Sequence, residues 1–110
     1  MAATLKRLVS STIAASAAAL YTATDANARI QAMTLTNTDG SARTVSIWLT
    51  SGGGAGNTNI ILKDKSIAAG GSYTAREAIN QVIPDGASIF ASASVANVVT
   101  MVASGVEIAT

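Results

Sequence analysis

The chain has no histidine, no cysteine and a single proline in its 110 residues. Without imidazole and thiol groups, the commonest general bases and nucleophiles are absent. So are the nitrogen and sulfur ligands that zinc, copper and iron prefer. The missing cysteine excludes a disulfide scaffold and leaves both reducing and oxidising compartments open. Aromatic residues are scarce at 4%, comprising Tyr21, Trp48, Tyr73 and Phe90. Charge is equally sparse: charged residues make up 12% of the chain, seven basic against six acidic, for a net +1. The two signs interleave and no basic block forms, so the electrostatic footprint of a nucleic-acid binder is missing. Lys63-Asp64-Lys65, the densest charged cluster, holds its own counter-charge.

What is present is small and β-prone. The apolar fraction of 49% leans on alanine. A core of Val, Ile and Ala is thin. It suits two closely packed sheets and leaves part of the apolar surface to be covered by other copies of the chain. Covering one Leu- or Val-sized side chain contributes about 1.5–3 kcal/mol, so such neighbours matter as much as the internal core. The length fits one compact domain.

Short β-prone runs alternate with Gly, Asn, Asp and Ser. Strands are expected at 4–10, 18–23, 28–36, 43–50, 58–67, 72–75, 87–94 and 98–108. In 43–50, Val45, Ile47 and Leu49 alternate with Ser46, Trp48 and Thr50, which places Trp48 on the face opposite the aliphatics. Asp39-Gly40 predicts a tight hairpin that pairs 28–36 with 43–50, and Pro84-Asp85-Gly86 predicts a further turn. Ile67-Ala68-Ala69-Gly70-Gly71 and Ile83-Pro84-Asp85-Gly86-Ala87 repeat one turn chemistry. Four glycines between Ser51 and Asn57 forbid regular structure there, and 76–81 has room for one helical turn. Residues 11–17 have the alanine content of a helix, but their Ser and Thr weaken that reading. The last run is apolar on both faces, as expected of a strand buried on both sides. No strand–helix–strand rhythm appears. The fold class expected is therefore all-β, an antiparallel β-sandwich of seven or eight strands, jelly-roll or Ig-like.

The first twenty residues have the outline of a secretory leader: Lys6 and Arg7, an apolar run, then small residues. Ser10, Ser11, Thr12 and Ser16 interrupt that run, so it is expected to stay with the domain. It is also too short and too polar to span a bilayer, which takes about 20 predominantly apolar residues. Residues 1–17 are assigned as an N-terminal arm and 18–110 as the sandwich.

No catalytic pattern stands out in the chain. Serines are plentiful, but there is no histidine base and no Gly-x-Ser-x-Gly elbow. The glycines at 52–56 lead into Asn57-Thr58-Asn59 and a strand, not into the Lys-Ser/Thr and helix of a phosphate loop. Asp39 and Asp85 each precede a glycine and read as turn residues. Glu107, in an apolar run, is expected to pair with Arg29 or Arg43 or to meet a partner subunit. No cofactor or metal is expected.

The stretches Leu20-Tyr21-Thr22-Ala23, Thr44-Val45-Ser46-Ile47-Trp48-Leu49, Ile83-Pro84-Asp85-Gly86 and Val102-Ala103-Ser104-Gly105-Val106-Glu107-Ile108 carry a resemblance. Over residues 18–110 the strand-and-turn texture resembles small virion proteins of tailed bacteriophages. The resemblance implies a β-sandwich that assembles on a phage particle, found in the virion after assembly in the host cytoplasm. Decoration (cement) proteins of the capsid suit a stand-alone domain of this size. Neck or tail accessories and glycan-binding fibre adhesins are the alternatives. Partners are then other virion proteins and further copies of the chain, a trimer being the candidate order, with no nucleic acid and no membrane. The candidate interface residues are Trp48, Tyr21, Tyr73, Gly53 and Gly54 of the glycine loop, Glu107, and Arg7 in the N-terminal segment.

Overall fold

The computed structural model describes residues 3–110. Nine strands occur among them: β1 (Ala3–Thr12), β2 (Ala18–Thr22), β3 (Ala26–Asn37), β4 (Arg43–Thr50), β5 (Ile60–Ile67), β6 (Ser72–Thr74), β7 (Val82–Ile83), β8 (Ser88–Ala93) and β9 (Val99–Ala109). A single 3₁₀ turn, Arg76–Ala78, separates β6 from β7. The chain pairs as one nested antiparallel hairpin: β1 with β9, β2 with β8, β3 with both β6 and β7, β4 with β5. That hairpin is rolled, so that β9 also pairs with β3 and β8 with β4. One sheet has the order β1-β9-β3-β6, with β7 also on β3, and the other β2-β8-β4-β5. This is the jelly-roll form of the sandwich. An Ig-like fold keeps its first two strands in one sheet, whereas β1 and β2 here lie in different sheets.

Residues 3–17 of the segment expected to form an arm belong to the sandwich instead. β1 is an edge strand hydrogen-bonded along β9, and Leu8, Val9 and Ile13 are buried in the core. No helix forms over 11–17; the Ile13 amide donates to the Val99 carbonyl at 2.8 Å. Residues 1–2 of the expected arm lie outside the described residues.

The core is aliphatic and close-packed. Ile13, Ile30, Met33, Leu35, Ile47, Ile83, Ile89 and Met101 are its largest fully buried side chains besides two valines and an asparagine. Ala28, Ala91, Ala93 and Ala103 fill between them, which lets the sheets approach closely. The alternation read in β4 holds: Val45, Ile47 and Leu49 face Ala93, Ala91 and Ile89 of β8 on the inner side.

In β3, buried Ile30 and Met33 stand three residues apart, which strict alternation forbids. A bulge resolves this: the register slips between Ile30 and Ala32, opposite Gly105 and Ser104. β1 slips one residue along, between Arg7 and Val9, opposite Ser104 and Ala103, which turns both Leu8 and Val9 inward. β9 thus has a bulged neighbour on each side of it around Ser104. A Cβ at Gly105 would overlap the Arg29 carbonyl oxygen and lie 3.2 Å from Leu8 Cδ1, so the close strand approach requires glycine.

The turns confirm one reading and correct another. Gly71 donates to Ala68 and Ala87 to Pro84, both at 2.9 Å, with Gly70 (φ 69°) and Gly86 (φ 86°) in the third position of each turn. The repeated turn chemistry is real. Gly40, by contrast, takes no positive φ. Nor does it close a hairpin: β3 and β4 lie in different sheets, and the connection that crosses between them is held by Asn37, which is fully buried. Its amide donates to the carbonyls of Ser41 (2.8 Å) and Ile67 (3.0 Å), and its Oδ1 accepts the Asp39 amide at 3.0 Å.

Candidate functional site

A strand apolar on both faces was expected to be buried on both sides. β9 is not. Its inner residues Val99, Met101 and Ala103 are sealed, while Val102 and Ile108 face outward and are exposed. The reason is topological. β9 is central in its sheet, but the second sheet covers only one side of it. Nothing in the described chain packs over the other.

The exposed large hydrophobics among the described residues are Leu5, Val82, Val102 and Ile108. All four lie on this outer face. The registers align Leu5 of β1, Val106 of β9, Arg29 of β3 and Val82 of β7 in one cross-strand row. Ala3, Ile108 and Asn27 form the next row toward the end of the sheet where β1 begins and β9 ends, and Arg7 with Ser104 the row on the other side. Leu5 is 79% and Val82 54% exposed, values that a lone solvated domain has no physical reason to favour. Between these rows lies a depression of about 170 Å³, lined by Asn27, Ala28, Arg29, Val82, Val106 and Ile108. A second, more open hollow is lined by Leu5, Lys6, Arg7, Gln31, Ser104 and Gly105.

The expected interface residues are scattered. Arg7 is on this face, exposed. Trp48 sits half-buried on the outer face of the other sheet, directly opposite Phe90 of β8 and Ile60 of β5. Gly53 and Gly54 are exposed in the β4–β5 loop with open space around their Cα atoms. Tyr21 and Glu107 are brought together, but between the sheets. Tyr21 points inward from β2 and its hydroxyl donates to Glu107, which points inward from β9. Lys6 of β1 completes the group, 3.3 Å from the same carboxylate. Tyr73 makes a counterpart at the opposite edge: its hydroxyl donates to Glu77 at 2.9 Å, and Lys65 of β5 stands 4.6 Å from its ring centroid. The expected Glu107 pairing with Arg29 or Arg43 does not form. Arg29 is on the other side of the sheet, and Arg43 pairs with Asp39 at 2.6 Å.

Most of the acids accept a hydrogen bond from within the molecule. The Tyr21 hydroxyl, then Lys6, holds the Glu107 carboxyl below the usual range. Burial, then the bond to Glu107, pushes the Tyr21 phenol up. Glu77 is lowered by its own backbone amide and by Tyr73, and Asp39 by Arg43. Asp64 accepts from the Ser46 hydroxyl at 3.3 Å, and Asp85 from the Asp25 amide at 3.0 Å. Arg7 and Arg29 form no ion pair among the described residues.

Sequence reading missed Leu5, Arg29, Val82, Val106 and Ile108 as surface residues. The signal was there in the second apolar face of the last strand. Comparison with family models, with curated proteins and with solved structures returns no match for this chain.

Proposed function

We propose that the chain is a non-catalytic structural protein of a tailed-bacteriophage particle, a capsid decoration protein that docks on the particle surface and stabilises it. The observation that carries this reading is the gathering of the exposed large hydrophobics on the outer face of the β1-β9-β3-β7 sheet. A rigid, flat, strand-built face with apolar rows suits repeated docking. Weak contacts made many times over a lattice sum to firm attachment. The jelly roll is a fold that viral capsid domains use, a fold-level analogy that adds to the resemblance of the strand-and-turn texture. Its partners are then the major capsid protein, or a neck or tail protein, and further copies of itself in a homo-oligomer.

The adhesin alternative needs aromatic side chains that converge. Tyr21, Trp48 and Tyr73 lie at one sandwich edge, on one outer face and at the other edge, so they offer no common glycan platform.

Quantitative mass spectrometry of purified particles, with imaging to locate the chain, tests the proposal. Hundreds of copies on the head are expected. A dozen or fewer at the neck or tail reassigns it to an accessory role, and absence from the particle overturns it.

A further inference from the structure

We infer that the outer face of β1, β9, β3 and β7 docks a foreign protein surface that presents carboxylates around an apolar side chain, and not a second copy of this chain. The inference rests on the docking reading above and names the chemistry of what docks.

The depression walled by Val82, Val106 and Ile108 is the right kind of cavity for one apolar anchor residue. Well-packed anchors of this type carry most of an interface's binding energy. Arg29 stands in the same cross-strand row, between Val106 and Val82, and Arg7 stands one row away. No carboxylate shares these rows. Asn27, Ser104 and Gln31 are the uncharged polar residues nearby. An apolar partner that covered the guanidiniums without a counter-charge would leave buried, unpaired charges, which is strongly unfavourable. The occupant must therefore bring carboxylates, and a guanidinium can grip each one through two parallel hydrogen bonds.

A second copy does not supply them. None of its six carboxylates stands on this face: Glu107 turns inward to Tyr21 and Lys6, Asp64 is on the other sheet, Asp39 and Glu77 lie in the β3–β4 and β6–β7 connections, and Asp25 and Asp85 lie in turns beyond Asn27 at the end of the sheet. Face-to-face pairing of two copies would also set arginine rows against each other. Charge complementarity selects a different molecule, an acidic and apolar patch on the particle.

The test uses the full chain, ¹⁵N-labelled, and two synthetic peptides of equal length. One interleaves Glu with Leu and Phe; the other has Lys in place of every Glu. The Glu peptide is expected to shift the amides of Arg29, Val82, Val106 and Ile108. The R7E/R29E variant is expected to bind it about tenfold more weakly or worse, a loss of about 1.4 kcal/mol, and to prefer the Lys peptide. That gain of binding also shows that the variant is folded. Absence of binding, shifts mapped elsewhere, or affinity indifferent to R7E/R29E overturns the inference. Two further outcomes overturn the assigned partner while leaving a docking face: self-association in light scattering that V82D abolishes, and co-sedimentation with phosphatidylglycerol vesicles that V82D abolishes. Undiminished incorporation of V82D into particles would sink the docking reading itself.

Discussion

The Tyr21 hydroxyl donates its hydrogen bond to the Glu107 carboxylate, and this one contact ties the two sheets together where β1 lies beside β2. At the opposite edge the link is Lys65 of β5, which stands over the ring of Tyr73 in β6, while the Tyr73 hydroxyl bonds Glu77 four residues on. An aliphatic core of modest side chains is thus closed at both rims by a tyrosine, a glutamate and a lysine. Tyr21→Phe keeps the ring and removes the hydroxyl. It is expected to lower stability by about 1.5–3 kcal/mol, the range of a hydrogen bond to a charged group. Glu107→Gln should cost a similar amount. The double variant should cost less than the sum, because both remove the same bond. Urea titration of the four proteins measures this.

Stability should fall on both sides of neutrality. Glu107, Glu77 and Asp39 have folded pKa values below their unfolded ones. The unfolded chain therefore binds more protons in that window, and stability falls as pH drops from about 4.5 through the lowered folded values. Tyr21 and Tyr73 are raised. Their contribution is complete below the ordinary phenol pKa of about 10 and is lost as pH rises past it. Melting temperatures recorded across pH should show both declines. In Tyr21→Phe the alkaline decline should be shallower.

Gly105→Ala is expected to be the most damaging single-methyl change in the protein. The new Cβ would overlap the Arg29 carbonyl oxygen and lie 3.0 Å from its carbonyl carbon, so two strand backbones must separate. The cost should reach about 3 kcal/mol or more. Gly53→Ala, with nothing near its Cβ position, should stay within about 0.5 kcal/mol of the parent. Chemical denaturation of the pair makes the comparison.

Asn37 satisfies carbonyls from the β3–β4 turn and from the end of β5 at once. Asn37→Ala leaves them buried without a donor, at an expected cost of about 3 kcal/mol. Asn37→Asp should be worse at neutral pH, since it sets a carboxylate against those same carbonyls, and should recover partly in mild acid. Thermal melts at two pH values distinguish the variants.

Thr50 has a buried hydroxyl oxygen with no hydrogen-bond partner, 2% of the residue being exposed. Thr50→Val replaces that hydroxyl with a methyl of similar shape. It is expected to stabilise the protein by about 1 kcal/mol, the reverse of most core changes. A rise in the urea midpoint without a change in slope would show it.

Much of the molecule is legible in the chain because it depends on local chemistry. The period of two in β4 set its inner and outer faces, and glycine in third position shaped the turns at Gly70 and Gly86. Trp48 stands on the outer face because its neighbours Ile47 and Leu49 point in. The candidate site was harder to read. Leu5, Val82 and Ile108 lie far apart in sequence and share a face only because β9 receives β1 on one side and β3 on the other. Glu107 looked free to meet Arg29 because a period of two counted back from Leu35 and Met33 places Arg29 on the inner face, and only the bulge between Ile30 and Ala32 turns it outward.

Composition and alternation by themselves determined an all-β sandwich, because the side-chain period and the turn residues act within a few positions of one another. The nesting of the strands into a jelly roll, the absorption of residues 3–12 as an edge strand, and the gathering of the apolar rows around Arg29 were decided by the tertiary structure alone. Strand register couples residues as far apart as Ala3 and Ile108, and no local pattern encodes which of them become neighbours.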